Sequence, residues 1–467
     1  MTHIFPDGFL WGAATSAPQS EGGQYEDGRT ASTWDKWFEM EPDRFYQGRG
    51  PKNTSFTYER YKEDAELMKA INLNSFRTSI SWNRLLPDGQ ELNQKAVTYY
   101  RDYFTQLKKN GVEPIVNLFH FDMPWWLMEK GGWENRESID HFSFYAQTAF
   151  EQFGDLVNYW TTFNEPIVHV TCGYLGEYHW PKVFDLKRAI QVGHHTNLAH
   201  AAAVKAFRKL GQEGEIGNIL NLSPVYARSN DEGDLLAKTN ALELHVKSFL
   251  DPTVKGRYSD YLVQLLDEND LLPLTEEGDR ELIAEGKVDF LGVNYYQPLR
   301  VQAVPESEKN QPARSLGDFS RHYNWPEKRM NKHRGWEIYP EGIYDLAMMI
   351  KEDYGNIPFY ISENGMGVSE EERFMNADGV IEDDYRIEFI SDHLANVQKA
   401  IEGGANCFGY HLWTFVDCWS WLNEFKNRYG FYRLNLETGE RTPKKSAFWI
   451  SEVISQNKLI DKNSIHY

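Results

Sequence analysis

Short runs of apolar, β-branched and aromatic residues recur along the chain, and between them apolar positions return at helical spacing. Eight of the short runs read as strands. They end near Ser16 in FLWGAATS, Trp82 in SFRTSISW, His120 in EPIVNLFH, Glu165 in NYWTTFNEP, Pro224 in IGNILNLSP, Tyr296 in VDFLGVNYY, Glu363 in FYISENG and Trp413 in CFGYHLWTF. Helices are predicted over Tyr58–Ala70, Gln94–Asn110, Ile139–Phe153, Leu186–Leu210, Pro340–Tyr354 and Tyr385–Glu402. In the first of them Tyr61, Ala65, Leu67 and Met68 fall on one face.

Alternating strands and helices, eight times over, imply an α/β fold in which a parallel sheet closes on itself, a (β/α)8 TIM barrel. Residues 1–467 are read as a single catalytic domain with long loops at the carboxyl ends of the strands. The stretch from Gln302 to Arg334 is polar, contains proline and lacks a clear period. It reads as a long loop after strand six, a type of segment that serves as a rim or lid about as often as it merely decorates a surface.

Composition narrows the partners. A formal charge of -20 argues against nucleic acid and anionic membrane, both of which call for clustered positive charge. Aromatics make up 15% of the chain; most pack a core, and the surplus hints at stacking on sugar faces. Cys172, Cys407 and Cys418 are odd in number and lack metal-ligand spacing, so neither a disulfide framework nor a zinc site is expected. His194 and His195 are adjacent on a predicted helix and point apart, so they form no metal pair. No metal and no organic cofactor are implied. The start, MTHIFPDGFLWG, lacks the basic and long apolar regions of a signal peptide, and no run of 18 apolar residues follows, so a cytoplasmic location is expected.

In a βα barrel, chemistry sits at the carboxyl ends of strands. The polar groups there are Gln19 after strand one, Arg77 in strand two, His120, the pair Asn164 and Glu165, Asn294 with Tyr296, Glu363, and Trp413. A lone glutamate at such a position is more often a solvated loop residue or a cap. Two of them, Glu165 in NEP and Glu363 in ENG, are the pair that glycoside hydrolysis needs, one to protonate the leaving oxygen and one to attack carbon or activate water.

The segments FPDGFLWGAATSAPQSEG, SFRTSISWNRLLP, NLFHFDMPWWL, WTTFNEP, DFLGVNYY, WEIYPEGIYD, YISENG and HLWTFVDCWSW with NRYGFY resemble, in order and over essentially the full length, those of glycoside hydrolase family 1 β-glycosidases. The resemblance implies retaining hydrolysis through a covalent glycosyl-enzyme, with Glu165 as general acid and base and Glu363 as nucleophile. It also implies Arg77 and Tyr296 around the nucleophile, and Gln19, His120, Asn164, Asn294 and Trp413 around the sugar. Trp336 is the implied aglycone platform.

The same resemblance raises the question of a phosphate. Members acting on unmodified sugars usually carry glutamate where this chain has Ser420, and members acting on 6-phosphosugars pair that serine with a later lysine and tyrosine. Here Ser420 and Tyr429 match, the lysine position holds Asn427, and Lys426 stands one place earlier. Trp421 does not separate gluco from galacto substrates. The expected substrate is a small-molecule β-glycoside carrying a 6-phosphate, and the expected enzyme a 6-phospho-β-glucosidase. A 6-phospho-β-galactosidase, an enzyme on unphosphorylated sugars and a non-catalytic sugar-binding protein are the alternatives. Whether the chain forms a homo-oligomer is left open.

Overall fold

The computed structural model describes residues 4–52 and 54–462. Eight parallel strands form a closed barrel in chain order: β1 (Leu10–Ala14), β2 (Ser75–Ser79), β3 (Glu113–Phe119), β4 (Tyr159–Asn164), β5 (Glu215–Asn221), β6 (Phe290–Asn294), β7 (Phe359–Asn364) and β8 (Cys407–Trp413). Closure is made by β1 against β8, in register from Leu10 opposite Gly409 to Ala14 opposite Trp413.

Helices occupy the six expected places, as Thr57–Ala70, Gln94–Lys109, Ser138–Phe153, Leu186–Leu210, Glu341–Asp353 and Asp384–Glu402. The longest shows why the boundaries were readable. Asp185 caps its start by accepting from the Arg188 amide at 2.9 Å, and Gly211 ends it at φ 62. Further helices form at Pro166–Tyr174, Asp260–Asp267, Asp279–Glu285 and Lys445–Gln456, and Glu232–Ala241 continues through a π segment, Leu242–Lys247, into Ser248–Lys255.

The stretch after β6 is less irregular than the sequence suggests. Leu299–Gln302 pairs with Val225–Ala227 and Arg321–His322, and Arg329–Asn331 forms a hairpin with Trp336–Ile338. Arg300 anchors it, with its guanidinium 2.7 Å from Glu337 and stacked 3.9 Å from the Trp325 ring centroid. Such strands of two to four residues fall below what alternation can reveal.

Inside the barrel, polarity changes along its length. At the amino end Ile115, Phe290 and Tyr360 pack with Leu10, Tyr159 and Phe408 and plug the interior. One layer higher, Thr161 donates to Asn117 at 3.1 Å and Ser75 meets His411. At the carboxyl end the interior carries Arg77, Asn164, Asn294 and Glu363, all buried. Because side chains alternate along a strand, the same strands that seal the floor with rings present amides and charges at the mouth.

Candidate active site

Two local departures from strand regularity assemble the site. On β4, Tyr159 and Thr161 face the barrel interior, so strict alternation would send Asn164 outward. A register shift against β5 between Thr161 and Asn164 turns it in. On β7, Tyr360 faces inward, and a shift against β6 between Ile361 and Glu363 brings in the carboxylate. Glu165 follows β4 at φ 47 and ψ 59, a left-handed conformation uncommon outside glycine, and Pro166 at once begins a helix with its own φ already preset. After β7, Gly365 passes so close to β8 that a Cβ would lie 2.2 Å from the Trp413 carbonyl oxygen. Asn364 is locked beside it, donating to the Tyr295 carbonyl at 2.7 Å and accepting from the Tyr410 hydroxyl at 2.7 Å.

The two carboxylates are buried and differ in their partners. Glu363 Oε1 lies 2.7 Å from Arg77 Nη2, and Tyr296 donates its hydroxyl proton to Glu363 Oε2 at 2.7 Å. Glu165 has only neutral donors, the amides of Asn221 at 2.8 Å and Asn294 at 2.9 Å, both to Oε1. Burial, and after it the charge of Glu363, push the Glu165 pKa up to about 7. Burial also raises Glu363, and there the guanidinium of Arg77 and the phenol of Tyr296 oppose it. The proton shared by the pair therefore belongs on Glu165, and the negative charge beside Arg77.

One amide joins the two halves. Asn294 Nδ2 donates to Asn164 Oδ1 at 3.1 Å as well as to Glu165, while its Oδ1 accepts from Ser362 at 2.6 Å. The Arg77 guanidinium, which can only donate, fixes the Asn164 oxygen and through it which end of the Asn294 amide faces Glu165. Arg77 also donates to Asn164, so a single network runs from Glu363 through Arg77 and Asn164 to Asn294 and Glu165. Asn221, the last residue of β5, is a member that sequence reading missed; it placed the end of that strand at Pro224 and so passed over the residue in the decisive position.

Around the carboxylates, Asn164 Nδ2 stands 3.3 Å from His120 Nε2. The His120 ring lies near-parallel to Trp413, with centroids 5.9 Å apart and an angle of 13°. Burial, reinforced by Arg77, holds His120 well below its usual pKa and hence neutral. Gln19 donates to the Trp419 carbonyl at 2.8 Å and accepts from Ser16 at 2.9 Å, which leaves one amide hydrogen and one lone pair for a ligand. Trp336 stands with its ring centroid 5.0 Å from that of Tyr296.

The segment after β8 divides. Ser420 is buried next to Trp419, the residue Gln19 holds, and Trp421 stacks on Trp34 at 4.4 Å and lies 6.1 Å from His120. Tyr429 packs with Trp413, Cys418 and Tyr296, and its ring fills the space over Gly367, where a Cβ would come within 2.3 Å. Asn427 is buried, with its amide donating to the His333 carbonyl at 3.3 Å. Lys426 does not join them. It is exposed, and its ammonium sits 5.5 Å from the ring centroid of Tyr46 on a neighbouring loop. Lys426 lies in the bend just before the strand Asn427–Arg428 that pairs with Val368–Ser369, with its amide bonded back to the Asn423 carbonyl. Among the described residues, no group of three or more His, Cys, Asp or Glu is placed to hold a metal ion, and no helix is long and apolar enough to cross a membrane.

Known proteins share the sequence and the fold. The chain is 51% identical to 6-phospho-beta-glucosidase GmuD of Bacillus subtilis, over 96% of this chain and 97% of that one. It is 37% identical to beta-glucosidase A of Acetivibrio thermocellus, over 97% and 98%. Its structure matches the family 1 β-glucosidase of Thermotoga maritima with a TM-score of 0.89 and 34% identity, covering 98% of this chain and all of the other. The description of glycosyl hydrolase family 1 fits residues 1–459. With the barrel, the strand-end carboxylates and relatives that span its whole length in agreement, the chain belongs to glycosyl hydrolase family 1.

Proposed function

We propose that this protein is a retaining β-glycosidase acting on 6-phosphorylated β-glucosides. The observation that carries the chemistry is the unequal pair of buried carboxylates, Glu363 against a guanidinium and Glu165 among neutral amides.

Glu363, held anionic, attacks the anomeric carbon while Glu165 gives its proton to the departing glycosidic oxygen. The bond to the aglycone breaks as the ester bond to Glu363 forms. That ester carries no charge, so the principal negative neighbour of Glu165 vanishes just as Glu165 itself becomes a carboxylate. Its pKa then falls, and it takes a proton from water, whose oxygen attacks the anomeric carbon and releases Glu363. In this reading Asn164 and His120, 3.3 Å apart, hold sugar hydroxyls next to the reacting carbon, Gln19 and Trp413 meet the rest of the ring, and Trp336 carries the aglycone.

Support for the 6-phosphate comes from the neutral, buried Ser420, from Tyr429, which packs with Cys418 and Trp413, and from the name of the 51% identical relative. A carboxylate at position 420 would repel a phosphate at contact range, whereas a hydroxyl donates to it. The test compares hydrolysis of nitrophenyl β-glucoside, nitrophenyl β-galactoside and their 6-phosphates. Highest kcat/KM on the glucoside 6-phosphate is expected; preference for an unphosphorylated sugar would sink the phosphate reading and leave the two-carboxylate chemistry standing.

A further inference from the structure

A phosphate dianion approaching a protein of net charge -20 needs a cation at contact range, and the position where related phosphoglycosidases carry lysine is here the neutral Asn427. Two cations adjoin Asn427 in sequence, and neither faces the site. Lys426 is exposed over Tyr46. Arg428 lies on the opposite side of its strand, against Phe425 and 3.9 Å from the Asp417 carboxylate, which Lys444 also holds at 2.9 Å.

A third cation enters from a different element. Arg334 lies in the turn of the hairpin made by Arg329–Asn331 and Trp336–Ile338. Its Nε donates to the Tyr429 hydroxyl at 3.0 Å, and its guanidinium carbon lies 4.4 Å from the Trp336 ring centroid. No carboxylate among the described residues lies within 4.0 Å of it. The side chain is half-buried, and with Nε engaged by Tyr429 both terminal amino groups remain as a fork. The neighbouring bond accounts for the missing lysine: the Asn427 amide holds the carbonyl of His333, the residue before Arg334. Positions 427 and 429 thus each grip one of two consecutive residues of the hairpin turn.

We propose that Arg334 is the cationic contact for the substrate's 6-phosphate, with Asn427 as the positioning residue that seats its loop. This rests on the phosphoglycosidase reading above. Charge and fork are both used: Tyr429 and the ring of Trp336 fix the guanidinium plane, and a phosphate accepts two parallel N–H bonds from it alongside a donor from Ser420.

The experiment measures kcat/KM on p-nitrophenyl β-glucoside 6-phosphate and on p-nitrophenyl β-glucoside for the wild type, Arg334→Gln and Arg334→Lys. The ratio of the two values is the readout, because any loss of folded enzyme scales both alike. In Arg334→Gln the ratio is expected to fall on the order of 10- to 100-fold, carried by KM for the phosphorylated substrate. Arg334→Lys should recover part of it by restoring charge without the fork. If the wild type prefers the phosphorylated substrate and Arg334→Gln keeps the wild-type ratio, the assignment of Arg334 is overturned while the proposed function stands. A wild type that prefers the unphosphorylated glucoside overturns both.

Discussion

Arg77 Nη2 stands 2.7 Å from Glu363 Oε1, with both side chains inside the protein. Removing the carboxylate should therefore have two separable effects. Glu363→Ala is expected to lower turnover on the order of 10^4-fold or more, because the covalent route disappears. It should also cost about 3–5 kcal/mol of stability, because a buried guanidinium loses its counter-charge. Turnover and the denaturant midpoint measure the two. In the wild type, a 2-fluoro glycoside carrying the preferred sugar should leave a mass label on the peptide containing Glu363; a label elsewhere would refute its role.

Glu165 works twice, and azide separates the jobs. In Glu165→Ala a substrate with a good leaving group still forms the ester, but water then lacks its base. Added azide, which needs no base, should raise turnover and yield the β-glycosyl azide. A variant that azide leaves unchanged would count against Glu165 as the acid and base.

The pH dependence follows from the Glu165 pKa of about 7. Since the acid form donates the proton, kcat/KM should decline as pH rises through about 7, and Glu165→Gln should lose that limb. Stability moves in the same direction. A carboxyl raised from 4.5 in the unfolded chain to about 7 in the folded one binds its proton more tightly when folded. Its contribution is fully present below 4.5 and is lost as pH rises through 7, on the order of 3 kcal/mol. Thermal melts at pH 5 and pH 8 should show Glu165→Gln gaining on the wild type at the higher pH.

Asn221 offers a finer probe. Its hydrogen bond to Glu165 Oε1 favours the carboxylate, so Asn221→Ala should move the alkaline limb upward and slow the deglycosylation step about 10-fold, where Glu165 must act as base. An unmoved limb in the pH–rate profile would show that the Asn221 bond has no part in the proton affinity of Glu165.

Lys426→Ala should leave KM for a phosphorylated substrate within about 2-fold of the wild type, because the ammonium lies out over Tyr46 and an exposed contact of that kind is worth little. A large rise in KM would mean that the loop turns inward when substrate binds.

How far the sequence carried depends on the range of the signal. Strand ends such as Asn164–Glu165 and Glu363 were legible because apolar runs end abruptly there and the helices between have long periods. Asn221 was not, because β5 runs into the apolar Leu222 without a break, and the run shows no end at the residue that matters. Inward and outward could not be read for Asn164, where a register shift breaks the alternation. For Lys426 and Asn427, adjacency says that the two point apart but not which of them faces inward, and the bend that turns Lys426 out leaves no mark in the sequence. Arg334 lay in a stretch without period, and its meeting with Tyr429 joins residues 95 positions apart.

Asn364–Gly365 has a consequence for how long the enzyme lasts. An asparagine followed by glycine is the dipeptide that cyclises most readily to a succinimide, since the next amide nitrogen can reach the side-chain carbonyl unhindered. Here that reaction is blocked: the side chain is bonded at both ends, to Tyr295 and Tyr410, and Gly365 is wedged against β8. The protection exists only while the barrel is closed. Each excursion to the open chain exposes the position next to Glu363 to deamidation, which would return an extra buried negative charge on refolding. Deamidation at position 364 is thus set by how often the barrel opens, whereas the surface pair Asn110–Gly111 can age in the folded protein.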